Sequence, residues 1–263
     1  MIREILTNDS SIIDLVQKKK YQNIYLYIDV MTYGLSADEI RTYVSESDDG
    51  IQGLVYDYYN SFQLLTVGEV SESLVSDVAA LIISSGMKRI TGPEELVSAL
   101  YDRLSSSYAI TRGFIMSYSG EKKDIAEDTS FAGTDDFAEI AQLICQDRHL
   151  GKGYDYENIH KQLIYRYENE NCENMVVRRD GKIISHVATY AVLPDLAVVS
   201  GMLTAPDYRN QGHGMRLLTS FSSHLVQSGK QPVLYCYEDE YHSWYEKLGY
   251  HDIGSSAKLD LIR

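Results

Sequence analysis

A short glycine-containing turn, Arg209-Asn-Gln-Gly-His-Gly214, has the most specific chemical pattern in the sequence. It follows an apolar run over 197–204 that is typical of a central strand covered on both faces. It precedes an amphipathic run that predicts a helix. Two glycines two residues apart let backbone N–H groups point at a common centre, and the helix adds its positive N-terminal end. The pattern therefore predicts an anion site, most simply for a pyrophosphate.

Two nucleotide-binding patterns are excluded for this turn. A P-loop requires Gly-Lys followed by Ser or Thr after four spacer residues, and the turn has no such lysine. A dinucleotide-binding fold requires a third glycine at the position of Leu217. The anion is therefore neither a nucleoside triphosphate in a P-loop nor a dinucleotide in a Rossmann fold.

The residues around the turn predict its local supports. Gly201 within the strand indicates a bulge or a close approach of another backbone. We expect Met215, Leu218, Phe221 and Leu225 to form the apolar face of the helix. The side chain of His213 is expected to turn toward solvent or along the helix. Upstream, Asp180-Gly181 predicts a tight hairpin turn.

The segment Thr204–Leu218 resembles the acyl-CoA loop of the GCN5-related N-acetyltransferase (GNAT) superfamily, in which Arg/Gln-x-x-Gly-x-Gly/Ala joins a strand to a helix. About thirty residues later, Trp244-Tyr-Glu-Lys-Leu-Gly-Tyr250 resembles the second signature of that family. From 130 to 263 the predicted order is two helices, three strands, helix, strand, helix, strand, which also agrees. The resemblance implies an α+β fold, a mixed and mostly antiparallel sheet flanked by helices, with acetyl-CoA as co-substrate and no metal.

The resemblance also implies a role for each matching residue. Backbone groups of the strand end pair with the pantetheine arm of CoA, and N–H groups from Gln211 to Met215 hold its pyrophosphate, with Arg209 beside it. The implied CoA-binding residues are Met202, Leu203, Thr204, Arg209, Asn210, Gln211, Gly212, His213, Gly214 and Met215.

The implied catalytic acid is Tyr245, which matches the tyrosine that in many members protonates the departing CoA thiolate. Tyrosine, with an ordinary pKa of ~10, can donate to a thiolate of pKa ~8.5. The alternative is a hydrogen bond to the CoA sulfur without proton transfer. An Asn that many members place about seven residues earlier is missing here, where the sequence reads Tyr237-Glu-Asp-Glu240.

An amine nucleophile must lose a proton, so a general base is also expected. Glu238 is the nearest plausible carboxylate, because it lies at the end of the predicted strand beside the presumed thioester. His186 and His242 stay open as alternatives.

The N-terminal half, 1–120, mixes helices with a small sheet and has no such glycine turn. It resembles either a degenerate GNAT-like copy or the leading domain of two-domain bacterial members. The polar stretch 119–130 is the predicted boundary to a GNAT domain over 130–263, although a surface loop is the alternative. The expected role of this half is to cover the acceptor side of the cleft or to form a homodimer.

The amino-acid composition limits the classes of binding partner that we expect. The net charge of -14 argues against nucleic acid; it either favours cationic substrates or only keeps the protein in solution. Three cysteines without CxxC spacing indicate free thiols and a reducing compartment. No apolar run approaches the ~20 residues that span a membrane, and no signal peptide is recognised. We therefore expect a cytoplasmic protein without a membrane partner.

Together these observations predict an acetyl-CoA-dependent N-acetyltransferase. The acceptor is a primary amine on a small molecule or peptide, which attacks the thioester directly in a ternary complex. The alternative is a catalytically silent CoA-binding sensor or regulatory module.

Overall fold

The computed structural model describes residues 1–147 and 155–262, and the chain divides into two compact units. The first unit takes its described residues from Met1–Ile115, Tyr235–Asp239 and Asp252–Arg263, and the second from Met116–Leu234 and Glu240–His251. None of the helices in the described residues combines the length and apolarity needed to cross a membrane.

The N-terminal half contains ten regular elements and one short 3-10 helix at Lys20–Gln22. In chain order they are β1 (Ile2–Ile5), α1 (Ser10–Lys18), α2 (Ile24–Tyr33), β2 (Arg41–Ser47), β3 (Gly50–Tyr58), β4 (Ser61–Thr66), α3 (Glu72–Ser85), β5 (Arg89–Pro93), α4 (Glu94–Leu104) and β6 (Tyr108–Tyr118). The apolar run of α2 is compatible with a strand, but local capping decides it: the Asn23 side chain accepts from the Leu26 N–H, and Gly34 ends the helix at φ 81°.

The described residues of the C-terminal half form ten further elements and two 3-10 helices, at Thr134–Asp136 and Pro206–Tyr208. In chain order they are β7 (Thr129–Phe131), α5 (Phe137–Gln146), α6 (Tyr156–Asn169), β8 (Asn174–Arg179), β9 (Lys182–Leu193), β10 (Leu196–Thr204), α7 (His213–Gln227), β11 (Gln231–Cys236), α8 (Asp239–Lys247) and β12 (Tyr250–Leu261). Asp180 and Gly181 adopt positive φ between β8 and β9, which confirms the predicted hairpin.

The two halves repeat one order of elements. Each begins with a strand and two helices, continues with three antiparallel strands, and ends helix, strand, helix, strand. In each, the fourth strand pairs in parallel with the fifth, β4 with β5 and β10 with β11, across a connecting helix. The other pairings between neighbouring strands described in either half are antiparallel. The predicted fold class, a mostly antiparallel sheet flanked by helices, is confirmed.

Each unit has an apolar core between its sheet and its helices. In the first unit, α3 and α4 pack on the sheet through buried side chains such as Val78, Leu96 and Leu100. In the second, α5 and α6 pack on the sheet through Phe137, Ile140 and Leu163. Burial of such side chains stabilises each unit by roughly 1.5–3 kcal/mol per residue.

The compact units differ from the two continuous ranges expected from the sequence. Ser256–Asp260 of β12 pair antiparallel with Arg89–Pro93 of β5, so the end of the chain groups with the first unit. The polar stretch 119–130 groups with the second unit, where Ser223 Oγ accepts from the Lys123 N–H and Ser220 Oγ accepts from the Ala126 N–H. The ranges 1–120 and 130–263 remain a prediction about domains.

Candidate functional site

The strand β10 is bulged at Gly201, as the sequence predicts. Its pairing with β9 shifts register between Ser200 and Leu203, and Gly201 has φ +63°. The imidazole of His186, on β9, donates through Nδ1 to the Gly201 carbonyl at 3.0 Å. The bulge is therefore held from the neighbouring strand as well as permitted by the glycine.

His186 is a structural residue. Its side chain is fully buried, and burial lowers its pKa to about 4. Its Nε2 lies 2.9 Å from the side-chain amide of Asn174, so both ring nitrogens are engaged within the fold. These contacts remove His186 from the candidate general bases.

One edge of β10 is open beyond the bulge. The parallel pairing with β11 covers only Leu196–Val198, whereas β9 pairs as far as Thr204. Within the described residues, no strand pairs with the β11-facing edge of 199–204. The family resemblance implies that the pantetheine arm of CoA pairs with this edge like an added strand. The backbone groups concerned are those of Met202, Leu203 and Thr204.

The glycine turn after β10 leads into α7 with its N–H groups unpaired. Asn210 and Gly212 adopt positive φ, at 60° and 80°, and α7 begins at His213. The first N–H inside the helix to find a backbone acceptor is that of Arg216, which donates to the Gly212 carbonyl at 3.1 Å. Within the described residues, the N–H groups from Gln211 to Met215 have no such acceptor. They form an anion-binding end of the kind that the sequence predicts.

Gly214 brings the first turn of α7 close to the end of β10. A Cβ at this position would lie 2.8 Å from Met202 Cε and 3.1 Å from Thr204 Oγ1. Thr204 Oγ1 is itself 2.9 Å from Ser185 Oγ, so it is held in place. The second glycine of the turn therefore lets the helix end approach the open strand edge.

Arg209 braces the turn. Its Nε donates to the Thr204 carbonyl at 2.9 Å, and its Nη2 is paired with Asp147 Oδ2 at 2.9 Å. The guanidinium is thus already engaged by two acceptors. Its contact with a phosphate stays a prediction.

The expectation for Met215 is wrong, whereas His213 takes the second of its two expected orientations, along the helix. Met215 is 48% exposed, and Leu217 and Leu218 are the buried apolar residues of that turn. His213 is buried, with only 5% of its side chain exposed, and its Nδ1 accepts from Arg216 Nη2 at 3.0 Å. Arg216 in turn donates to Asp128 at 2.9 Å, a contact across 88 residues that the local pattern does not reveal.

Tyr245 lies on α8 against a fixed aromatic neighbour. Its ring packs edge-on against Tyr250 at 5.8 Å between centroids, and the Tyr250 hydroxyl is 2.7 Å from Ser222 Oγ. Burial raises the pKa of Tyr250, which keeps that hydroxyl protonated. Gly249 has φ +97°, and a Cβ there would lie 2.8 Å from Gly120 Cα. The Tyr-Glu-Lys-Leu-Gly signature therefore has a packing reason for its glycine.

Glu238 lies between β11 and α8 and belongs to the first unit, whereas Tyr245 belongs to the second. In the first unit, Lys258 lies over the Tyr237 ring at 4.4 Å. Burial lowers the pKa of Lys258, and the charges of Asp260 and Glu238 oppose that shift. On α8, His242 Nδ1 is 3.7 Å from Glu246.

Comparison with known proteins matches part of the chain to one family. Residues 137–250 match the Acetyltransferase (GNAT) family. No curated protein matches the chain.

Three solved structures have a similar fold. A GCN5-related N-acetyltransferase from Sphaerobacter thermophilus is 12% identical, with a TM-score of 0.65 and coverage of 100% of this chain and 96% of that one. A GCN5-related N-acetyltransferase-like protein from Streptococcus suis is 13% identical, with a TM-score of 0.59 and coverage of 96% and 99%. A tandem GNAT protein from the clavulanic acid biosynthesis pathway is 11% identical, with a TM-score of 0.59 and coverage of 99% and 98%.

Proposed function

Because this chain is an acyltransferase that contains a GNAT acetyltransferase domain at residues 137–250, we propose that it moves an acetyl group from acetyl-CoA to a primary amine. The observation that supports this most is the pair of open backbone surfaces in the second unit. One is the edge of β10 over 199–204, and the other is the set of N–H groups from Gln211 to Met215. The first suits an extended pantetheine arm, and the second suits a pyrophosphate.

In the proposed reaction, the amine lone pair attacks the thioester carbonyl carbon and the carbon–sulfur bond breaks. The leaving thiolate takes a proton from the hydroxyl of Tyr245. The proton released by the attacking amine goes to Glu238, directly or through a water, with His242 as the alternative base. Tyr245 donates a proton and Glu238 accepts one, so a variant of each residue tests one of the two proton transfers.

The acceptor is an amine of a small molecule or a peptide. A cationic amine is concentrated near the protein by the net charge of -14, and it loses one proton to solvent before its lone pair attacks. Direct attack in a ternary complex fits a site that offers backbone groups for the donor and no cysteine among the candidate catalytic residues. The homodimer, the cytoplasmic location and the absence of a metal remain predictions.

A catalytically silent CoA-binding module is the rival function. The observation that favours it is the sequence Tyr237-Glu-Asp-Glu240, where many GNAT members have an Asn that contacts CoA. Both functions require the glycine turn that leads into α7, so binding of acetyl-CoA does not distinguish the enzyme from the silent module. Turnover does.

The test has two stages. Isothermal titration with acetyl-CoA is expected to show binding in the micromolar range, and absence of binding would reject both functions. Release of the CoA thiol is then followed over a panel of polyamines, amino acids, aminoglycosides and peptides with free N-termini. Amine-dependent release identifies the enzyme, whereas tight binding without release for any amine identifies the silent module.

A further inference from the structure

Three side chains meet at the N-terminal end of α7, and two of them, Asp128 and Arg216, were not assigned to CoA binding or catalysis from the sequence. Arg216 Nη2 donates to Asp128 Oδ2 at 2.9 Å and to His213 Nδ1 at 3.0 Å, and His213 Nδ1 is 3.8 Å from Asp128. We call these three residues the Asp128 cluster. Because Nδ1 of His213 accepts, the neutral ring has its proton on Nε2.

The cluster compensates an unfavourable charge. Arg216 lies in the first turn of α7, where the helix dipole disfavours a cation. The hydrogen bond and charge of Arg216 lower the pKa of Asp128, so the carboxylate is ionised and offsets the arginine. The side chains of Arg216 and Asp128 are 39% and 24% exposed, so this is a partly exposed ion pair.

The cluster also touches the glycine turn itself. Arg216 Nη1 lies 3.0 Å from the position that a Cβ would take on Gly212, the residue with φ +80°. His213 follows directly and is held by the same guanidinium. Arg216 therefore holds His213 by a hydrogen bond and passes close to Gly212, and Asp128 holds that arginine.

We propose that Asp128 is a positioning residue for the pyrophosphate loop, acting through Arg216 and His213 to hold the loop N–H groups in their binding arrangement. This inference rests on the proposed binding of acetyl-CoA. A loop that is ordered before binding loses less entropy when the ligand arrives, so the expected consequence is tighter binding of the diphosphate part of CoA.

The sign of the effect separates positioning from simple electrostatics. The carboxylate of Asp128 is an anion near the presumed site of an anionic ligand. On charge alone, its removal would strengthen the binding of acetyl-CoA. Positioning predicts the opposite, a weaker complex.

The experiment uses the full chain with Asp128→Asn, which keeps the size of the side chain and removes its charge. Titration calorimetry is expected to show acetyl-CoA binding weakened about tenfold, since the acceptor of the Arg216 hydrogen bond loses its charge and the bond becomes weaker. Acetyl-pantetheine lacks the pyrophosphate, so its KM in the thiol-release assay is expected to stay unchanged. Arg179→Gln is the matched control, because Arg179 Nη2 is 3.9 Å from the same carboxylate and outside the loop. It is expected to change acetyl-CoA binding less than about twofold.

Unchanged or tighter binding of acetyl-CoA by Asp128→Asn would overturn the inference. An equal loss for acetyl-CoA and acetyl-pantetheine would also overturn it, because it would indicate a general structural effect. If the wild type itself fails to bind acetyl-CoA, the proposed function is rejected together with this inference. Thermal unfolding checks that Asp128→Asn folds. If Asp128→Asn does not fold, Arg216→Lys is measured instead, and it is likewise expected to weaken acetyl-CoA binding without changing the KM for acetyl-pantetheine.

Discussion

The imidazole of His186 donates from Nδ1 to the carbonyl oxygen of Gly201 at 3.0 Å, and this contact holds the bulge of β10 from β9. The pairing of β10 with β11 ends at Val198, and the bulge lies within the open edge that follows, 199–204. A buried neutral histidine therefore supports the backbone surface on which the proposed function depends.

This histidine makes the stability of the fold depend on pH. Its folded pKa is about 4, below the value near 6.5 of an unfolded histidine. The unfolded chain therefore takes up the proton first, and the stabilisation present above pH ~6.5 is lost as the pH falls through ~4. We expect the unfolding free energy of the wild type to fall by about 3 kcal/mol more between pH 7 and pH 4 than that of His186→Gln. Denaturant titrations at each pH measure this, and equal slopes for the two proteins would contradict it.

Gly212 allows the left-handed backbone of the pyrophosphate loop. An alanine at φ +80° is strained by about 1–2 kcal/mol, and its Cβ would lie 3.0 Å from Arg216 Nη1. We expect Gly212→Ala to raise the KM for acetyl-CoA about tenfold, because the strain is relieved by shifting the loop N–H groups.

Gly181→Ala is the control for this strain. Gly181 has φ +76° in the β8–β9 turn, and a Cβ there meets nothing within 4 Å. It is expected to lower the melting temperature without changing KM. A similar rise in KM for both variants would show that the effect is not specific to the loop.

Tyr245→Phe tests the proposed acid. The phenyl ring keeps the edge contact with Tyr250 and loses only the hydroxyl. We expect kcat to fall about a hundredfold, with little change in the KM for acetyl-CoA. Tyr241→Phe on the same helix is the control, since Tyr241 is 43% exposed, and its kcat should match the wild type. An unchanged kcat for Tyr245→Phe would leave only a hydrogen bond to the sulfur.

Glu238→Gln tests the proposed base. The amide keeps the size of the side chain but cannot take the amine proton, so kcat is expected to fall by about a hundredfold while acetyl-CoA binding is retained. His242→Gln is measured beside it. A large loss in the His242 variant with none in the Glu238 variant would transfer the role to His242.

Local patterns predicted the parts of the structure that are decided locally. Asp180-Gly181 specifies its hairpin because both residues accept positive φ, and Gly34 ends α2 for the same reason. The strand, turn and helix around Gly212 were also predicted from the sequence, because the glycines and the apolar runs lie side by side in the chain.

Long-range contacts account for most of what the sequence did not predict. The burial of His213 depends on Arg216 and on Asp128, which is 85 residues away and has no pattern of its own. The pairing of β12 with β5 joins Leu259 to Ile90 across the whole chain, so no local signal could assign the last strand to the first unit. The predicted burial of Met215 is wrong. The helical period fits Leu217 as well as Met215, and only tertiary packing decides which of the two is buried.

The first unit has the same strand–helix connection but lacks the features of the loop. Between β4 and α3, the Ser71 side chain accepts from the Leu74 N–H at 3.1 Å, and acidic Glu69 and Glu72 flank it. This helix end is capped by its own chain and would repel a phosphate. We therefore expect a binding stoichiometry of one acetyl-CoA for each chain.

Hydrogen–deuterium exchange with and without acetyl-CoA tests the central claim most directly. Saturating acetyl-CoA is expected to slow exchange of the backbone amides from Gln211 to Met215. The backbone amides of 67–74 are expected to exchange at an unchanged rate. Unchanged exchange in Gln211–Met215 under conditions where calorimetry shows binding, or equal protection of 67–74, would contradict it.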